Sequence, residues 1–174
     1  MELLNKEEID ELLGVELNKE EINELPSVEL NKTFCHIITN YGFGNLPIEH
    51  VNKIFKDGRP FSHFIENWIV HNYPLVYVNG CKDHDFIDKN FENIKYDEKT
   101  FTQRGCKYMP SSMIGTGRTF NEELFKEKAQ KLIYCIVSNI NFPEIKIKFV
   151  KGIYLLENYP KGIIPLNDYV NFFD

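Results

Sequence analysis

Asp97, Glu98 and Lys99 follow one another in the stretch IKYDEKTFT, and Asp85 stands upstream in HDFID. Both stretches read as short strands, with KNFEN as the hairpin turn between them. A side-chain period of two puts Lys95, Asp97 and Lys99 on one face of the second strand. Ile94, Tyr96, Glu98 and Thr100 take the other face. Cross-strand neighbours in an antiparallel pair approach to about 5 Å, which brings Asp85 toward Asp97. Two carboxylates that close repel each other unless a cation neutralises them. Oxygen ligands of this kind suit a hard divalent ion such as Mg2+. Lys99 beside them can orient a water or help deprotonate it, and can stabilise charge developing on a phosphate. Asp83 and Asp88 compete with Asp85 for this role; Asp85 is preferred because it directly precedes the apolar pair Phe86–Ile87.

The elements that must position these groups can be read from spacing. PIEHVNKIF, from Pro47, reads as a helix with proline in its first turn. GRP at 58–60 reads as a break, after which Ser62 caps the helix HFIENWIVHNY. Phe61, Phe64, Ile65, Trp68 and Ile69 fall on one face of that helix, and Pro74 ends it. PLVYVNG (74–80) is a short apolar strand. Residues 103–120, rich in glycine, read as loop. Asn121 caps a helix written as EELFKEKAQKLIYCIVSN, with Leu124, Phe125, Leu132, Ile133, Ile136 and Val137 as its apolar face and Cys135 on it. Residues 144–157 alternate Ile145, Ile147 and Phe149 with lysines, as a half-exposed strand does. Helix, strand, strand, strand, helix, strand predicts an α/β domain around one mixed central sheet flanked by helices.

With these residues in this order, the chain resembles the PD-(D/E)XK nuclease superfamily, and within it the small type II restriction endonucleases. The resemblance rests on Asp85, on D-x-K at Asp97–Lys99 and on the αβββαβ order, and covers roughly residues 60–157. It implies a restriction-endonuclease-like core in which Asp85 and Asp97 bind Mg2+ and Lys99 assists the attacking water. It also implies that a carboxylate on the preceding helix joins the metal shell, and Glu66 is the acid on that helix. His84 stands where the pattern has proline, and Glu98 stands where it prefers an apolar residue. Glu98 therefore competes with Asp97 as the metal ligand.

Arg104, Lys107 and Arg118 lie in the Gly- and Ser-rich segment that follows, together with Ser111, Ser112 and Thr116. These types suit phosphate oxygens and guanine edges, so the segment is a candidate DNA contact. Its alternative is a polar surface loop whose glycines serve turns. Cys81-x-x-His84, with Cys106 as a third ligand, lacks the second ordered pair of a structural zinc site.

The chain has 174 residues, 43% hydrophobic and 14% aromatic, enough for one well-buried domain. No apolar run reaches the ~18 residues of a membrane span. The N-terminus is acidic from Glu2, which argues against a secretory signal, so no membrane association and a cytoplasmic location with reduced cysteines are expected. Residues 1–32 form an acidic arm in which LNKEEIDELLGVE is followed by LNKEEINELPSVE, with Leu4, Leu17 and Leu30 recurring every 13 residues. Asn5 and Asn18, each three residues before a glutamate, begin short capped helices that pack Ile9, Leu12, Leu13, Ile22 and Leu25 on the body or on a second subunit. Residues 33–174 form the nuclease-like domain. The net charge of −6 is concentrated in the arm: residues 1–31 hold ten acids and two lysines, a balance of −8, so the remainder carries +2.

These features together lead to the expectation of a Mg2+-dependent endonuclease for double-stranded DNA, a type II restriction enzyme that leaves 5′-phosphate ends. A homodimer would match a symmetric site, and a cognate DNA methyltransferase would protect the host. The alternative is a non-catalytic binding protein that uses its acidic arm on a basic partner, with residues 84–102 as an exposed hairpin. Convergence of Asp85, Asp97 and Lys99 in space separates the two.

Overall fold

The computed structural model describes residues 25–80 and 83–174; the two arm repeats up to Glu24, and Cys81 of the zinc-like pair, lie outside the described residues. Six strands form one mixed sheet: β1 (Thr33–Ile37), β2 (Leu75–Tyr77), β3 (Phe86–Asp88), β4 (Lys95–Phe101), β6 (Ile133–Ser138) and β7 (Glu144–Lys151). Their order across the sheet is β1-β7-β6-β4-β3-β2. Only the central β4–β6 pair is parallel; the other pairs are antiparallel. A small second sheet pairs β5 (Cys106–Lys107) with β8 (Ile163–Ile164).

Helices cover both faces. Helices α1 (Ile48–Phe55) and α2 (Gly58–Asn72) bury Val51 and Phe55, and Phe61, Ile65 and Ile69, each series at a spacing of four. They join Tyr96, Cys135, Val137, Ile145, Ile147 and Phe149 in one core. Helices α3 (Glu122–Gln130), α4 (Gly152–Asn158) and α5 (Tyr169–Phe173) close a second core on the other face, with Phe101, Tyr134, Ile136 and Val150. No helix among the described residues is long and apolar enough to cross a membrane.

Three expectations about elements are corrected. The helix expected to run from Asn121 to Asn139 stops at Gln130, and Ile133–Ser138 is strand β6. Every residue of IYCIVS is buried, because Ile133, Cys135 and Val137 enter one core while Tyr134 and Ile136 enter the other. A continuous apolar run rich in β-branched residues fits a strand covered on both faces as well as it fits a buried helix. Cys135 accordingly lies in the sheet and not on a helix. Leu124, expected on the apolar face, is 53% exposed.

GRP at 58–60 does not break a helix but opens α2, with Asp57 in place of Ser62 as the cap: its side chain accepts from Arg59 N at 3.1 Å. Proline is tolerated there because the first-turn N–H groups have no intrahelical partner. The strand expected over 144–157 ends at Lys151, where Gly152 begins α4. A Cβ at Gly152 would lie 1.8 Å from Ala129 O, so only glycine lets α4 start this close to the end of α3. The lysines of β7 are less solvated than their alternation suggests. Lys148 Nζ donates to Phe172 O at 2.5 Å and lies over the Phe172 ring, and Lys146 lies over Tyr169.

Candidate metal and phosphate site

The site arises where two neighbours of β4 part company. β6 runs beside β4 from Tyr96 to Phe101, but β3 pairs with it only through Ile87↔Lys95 and Phe86↔Tyr96. Asp85 takes the next place on the freed edge. Its N–H donates to Tyr96 O at 2.9 Å, and its Oδ2 accepts from Glu98 N at 2.7 Å. The side chain thus substitutes for a strand partner and is fixed by the backbone it caps.

Asp97 and Lys99 project from the same face of β4, as the period of two predicts. Lys99 Nζ lies 2.6 Å from Asp97 Oδ2 and also donates to Glu98 O at 2.9 Å. Asp85 and Asp97 line the same cleft with Lys99, near enough for the Asp97 charge to act on the Asp85 carboxyl. Burial, then the Asp97 charge, push Asp85 up to about 6, against the opposing pull of Lys99 and the Glu98 N–H. Burial alone would push the Lys99 ammonium down, but Asp97, Asp85 and Glu98 together hold it above its ordinary value. Asp85, Asp97 and Lys99 therefore converge.

Glu98 points to the opposite face of β4. It is buried, its Oε1 accepts from Thr100 Oγ1 at 3.0 Å, and Ser62 Oγ is at 3.5 Å. Burial pushes its carboxyl to about 8, so it is predominantly protonated at neutral pH. Between the two competing acids, it is Asp97 that meets Asp85. Glu66, half-buried on α2, is raised by burial and senses the charges of His63, Lys99 and Asp97, which places it at the rim of the same site.

Two open clefts meet here. One, about 550 Å³, lies between α2 and β4 and is lined by Arg59, Ser62, His63, Glu66, Glu98 and Lys107. The other, about 490 Å³, is lined by Asp83, Asp97, Ser112, Leu124 and Lys128. Asp85, Lys99 and Ser111 border both. Lys107 reaches the first cleft because Gly105, at φ +83°, turns the chain into β5; a Cβ there would meet Ile164 O at 2.5 Å. The remaining loop cations behave differently. Arg104 is exposed and lines neither cleft. Arg118 donates to Ser111 O and to Ile114 O (3.0 Å), so its guanidinium fastens the loop that carries the serines.

Arg59, His63 and Lys128 are cleft residues that the sequence did not single out. Reading GRP as a break hides Arg59, and Lys128 lies on a helix that the sequence reads for its apolar face. Among the described residues, no group of three or more His, Cys, Asp or Glu side chains is arranged to hold a metal ion. Mg2+ needs fewer protein ligands: it is commonly held by one or two carboxylates, with waters and substrate phosphates completing its shell. The Asp85–Asp97 pair offers oxygen ligands, and the Lys99 ammonium offsets only one of its two charges, which fits that requirement. The chain matches no protein-family model, no curated protein and no solved structure.

Proposed function

We propose that the protein is a Mg2+-dependent endodeoxyribonuclease of the type II restriction class, cutting double-stranded DNA at a specific short site. The observation that carries this reading is the convergence of Asp85, Asp97 and Lys99 on one cleft, with Lys99 2.6 Å from Asp97, at the open edge of β4 where two clefts meet. The order α2–β2–β3–β4–α3–β6, with β5 of the small sheet inserted between β4 and α3, supports it as well. It is an antiparallel meander, a helix and a strand parallel to β4, which is the αβββαβ order of the PD-(D/E)XK resemblance. In that order β6 takes the last place, which residues 144–157 had been expected to fill.

On this reading Asp85 and Asp97 hold the cation, and Glu66 reaches it from the rim. Bound there, Mg2+ would supply Lewis-acid charge to the phosphate oxygens. The chain's own residues do the rest. Lys99 stays an ammonium beside Asp97 and stabilises the negative charge that grows on the phosphate oxygens in the transition state. Its burial strengthens that interaction relative to water. A water attacks phosphorus in line, the P–O3′ bond breaks, and the products are a 5′-phosphate and a 3′-hydroxyl. Lys107, Ser111 and Ser112 hold neighbouring phosphates, with Arg59 on the facing wall. A homodimer acting on a symmetric site, and a methyltransferase guarding the same site, follow from the restriction role.

The test is incubation of the purified full chain with long unmethylated DNA and Mg2+. Discrete fragments with 5′-phosphate ends are expected, and Lys99→Ala should abolish them. Failure of the folded protein to cut under any divalent metal, or full activity in Lys99→Ala, would refute the reading.

A further inference from the structure

Breaking a P–O3′ bond leaves an oxygen that needs a proton, and the wall of the first cleft carries a side chain suited to supply one. Arg59, Ser62, His63 and Glu66 stand at i, i+3, i+4 and i+7 of α2, and all four line that cleft, so one stripe of the helix faces it. Two neighbours fix His63 relative to β4. Ser62 Oγ lies 3.5 Å from Glu98 Oε2 and 3.4 Å from Thr100 Oγ1. Glu66, almost one turn beyond His63, senses the charges of His63, Lys99 and Asp97. His63 thus stands between a side chain that touches β4 and one that feels the Asp97–Lys99 pair, and it is exposed to the cleft.

The two clefts supply a direction. In an in-line displacement the attacking water and the departing oxygen lie on opposite sides of phosphorus. Asp97 borders the second cleft, His63 the first, and Asp85 and Lys99 both. For a phosphate held at Lys99, a water entering on the Asp97 side sends O3′ out into the cleft that His63 lines. The other protonated groups there are poorer donors. Against the pull of burial, Asp97, Asp85 and Glu98 hold the Lys99 ammonium above its ordinary value, so it gives up a proton reluctantly. Glu98, kept protonated by burial, has its Oε1 bound to Thr100 Oγ1. An imidazole, by its nature, can both give and regain a proton near neutral pH.

We propose that His63 is a further catalytic residue, the general acid that donates a ring N–H proton to O3′ as the P–O3′ bond breaks. The bonding pair passes to the oxygen, the imidazolium proton joins it to complete the 3′-hydroxyl, and the neutral ring takes a proton back from solvent. The inference rests on the nuclease reading and adds to it a residue outside the Asp85–Asp97 edge.

Single-turnover cleavage in Mg2+ and in Mn2+ tests it, on duplexes spanning a site mapped from wild-type fragments. One duplex has the natural 3′-oxygen at the scissile bond and the other a 3′-sulfur, which leaves as a thiolate and needs no proton. His63→Ala should cut the oxygen duplex about 10²-fold or more slowly than wild type, and the sulfur duplex within about threefold of it. His63→Gln keeps an N–H donor but has no proton to transfer, and should be as slow as His63→Ala on the oxygen duplex. That comparison needs no sulfur and stands by itself. His63 is exposed, so both variants should melt with the wild type. An equal deficit on the two linkages, recovery of the oxygen duplex in His63→Gln, or no deficit in His63→Ala would overturn the proposal while leaving the nuclease reading in place. A wild type that cuts no DNA would remove that reading and this inference with it.

Discussion

β3 carries a structural carboxylate at one end and is preceded by a candidate catalytic one at the other. Asp88 is fully buried and accepts from Ser27 N, Ser27 Oγ, Asn90 N and Tyr96 Oη at 2.6 to 3.0 Å. Burial alone would push it up, but those donors hold it below the usual carboxylate range. Asp85 has one N–H donor, from Glu98, and a second carboxylate against it, and it is pushed up to about 6. The lesson lies in the partners. A buried acid whose oxygens are met by donors is finished and holds the fold together. A buried acid that faces another acid is stabilised by a proton or a cation, and that demand is what a metal site supplies.

The sharpest way to break the comparison is to truncate each kind of acid. Asp97→Ala should lower DNA cleavage by about 10²–10⁴-fold while the fold persists. Asp88→Ala should do the reverse. It leaves Ser27 and the buried Tyr96 hydroxyl without their acceptor and should cost about 3 kcal/mol in urea unfolding, with near-normal cleavage by the molecules that remain folded. Equal loss of activity in both variants would erase the distinction.

A pH series sharpens it. The folded-state pKa of Asp88 is depressed, so its stabilisation is complete above the unfolded carboxylate value of about 3.9 and is lost as pH falls through the folded value. The stability gap between wild type and Asp88→Asn should therefore be flat from neutral pH down to about pH 5 and close below about pH 4. Asp85 has the opposite sign. Its raised pKa makes its ionised form a cost above about 6. In metal-free protein, Asp85→Asn should gain about 1 kcal/mol at pH 7.5, after discounting for its partial exposure, and the gain should vanish below about pH 4.

The smallest expected effect separates two cations of the loop. Lys107→Ala should weaken DNA binding several-fold and reduce the salt slope by about one. Arg118→Ala should change that slope less, because one terminal nitrogen of its guanidinium is held by the carbonyls of Ser111 and Ile114. Equal slopes for the two variants would show that Lys107 makes no phosphate contact.

Much of the site was legible in the sequence because it depends on local rules. The hairpin turn, the period of two in IKYDEKTFT and the place of Asp85 beside it needed no tertiary information, and the geometry follows them. Which of Asp97 and Glu98 shares a face with Lys99 follows from the strand, with Asp85 capping the β4 edge and Ser62 and Thr100 meeting Glu98 on the other side. The fold was legible as a mixed α/β sheet flanked by helices. The identity of its central strand was not, because LIYCIVSN is apolar at both helical and strand periods and only two-sided burial selects β6. Arg118 reads as a ligand contact by type and position, and in the fold one of its terminal nitrogens also fastens two loop carbonyls. Nothing short of the folded loop distinguishes those roles.

The most direct measurement is single-turnover cleavage of unmethylated DNA in Mg2+ by the wild type, Asp97→Asn and Glu98→Gln, prepared and assayed side by side. The account predicts cleavage by the wild type, loss of about 100-fold or more in Asp97→Asn, and activity within about tenfold of wild type in Glu98→Gln. An inert wild type, or a Glu98→Gln variant that is dead while Asp97→Asn still cuts, would contradict it.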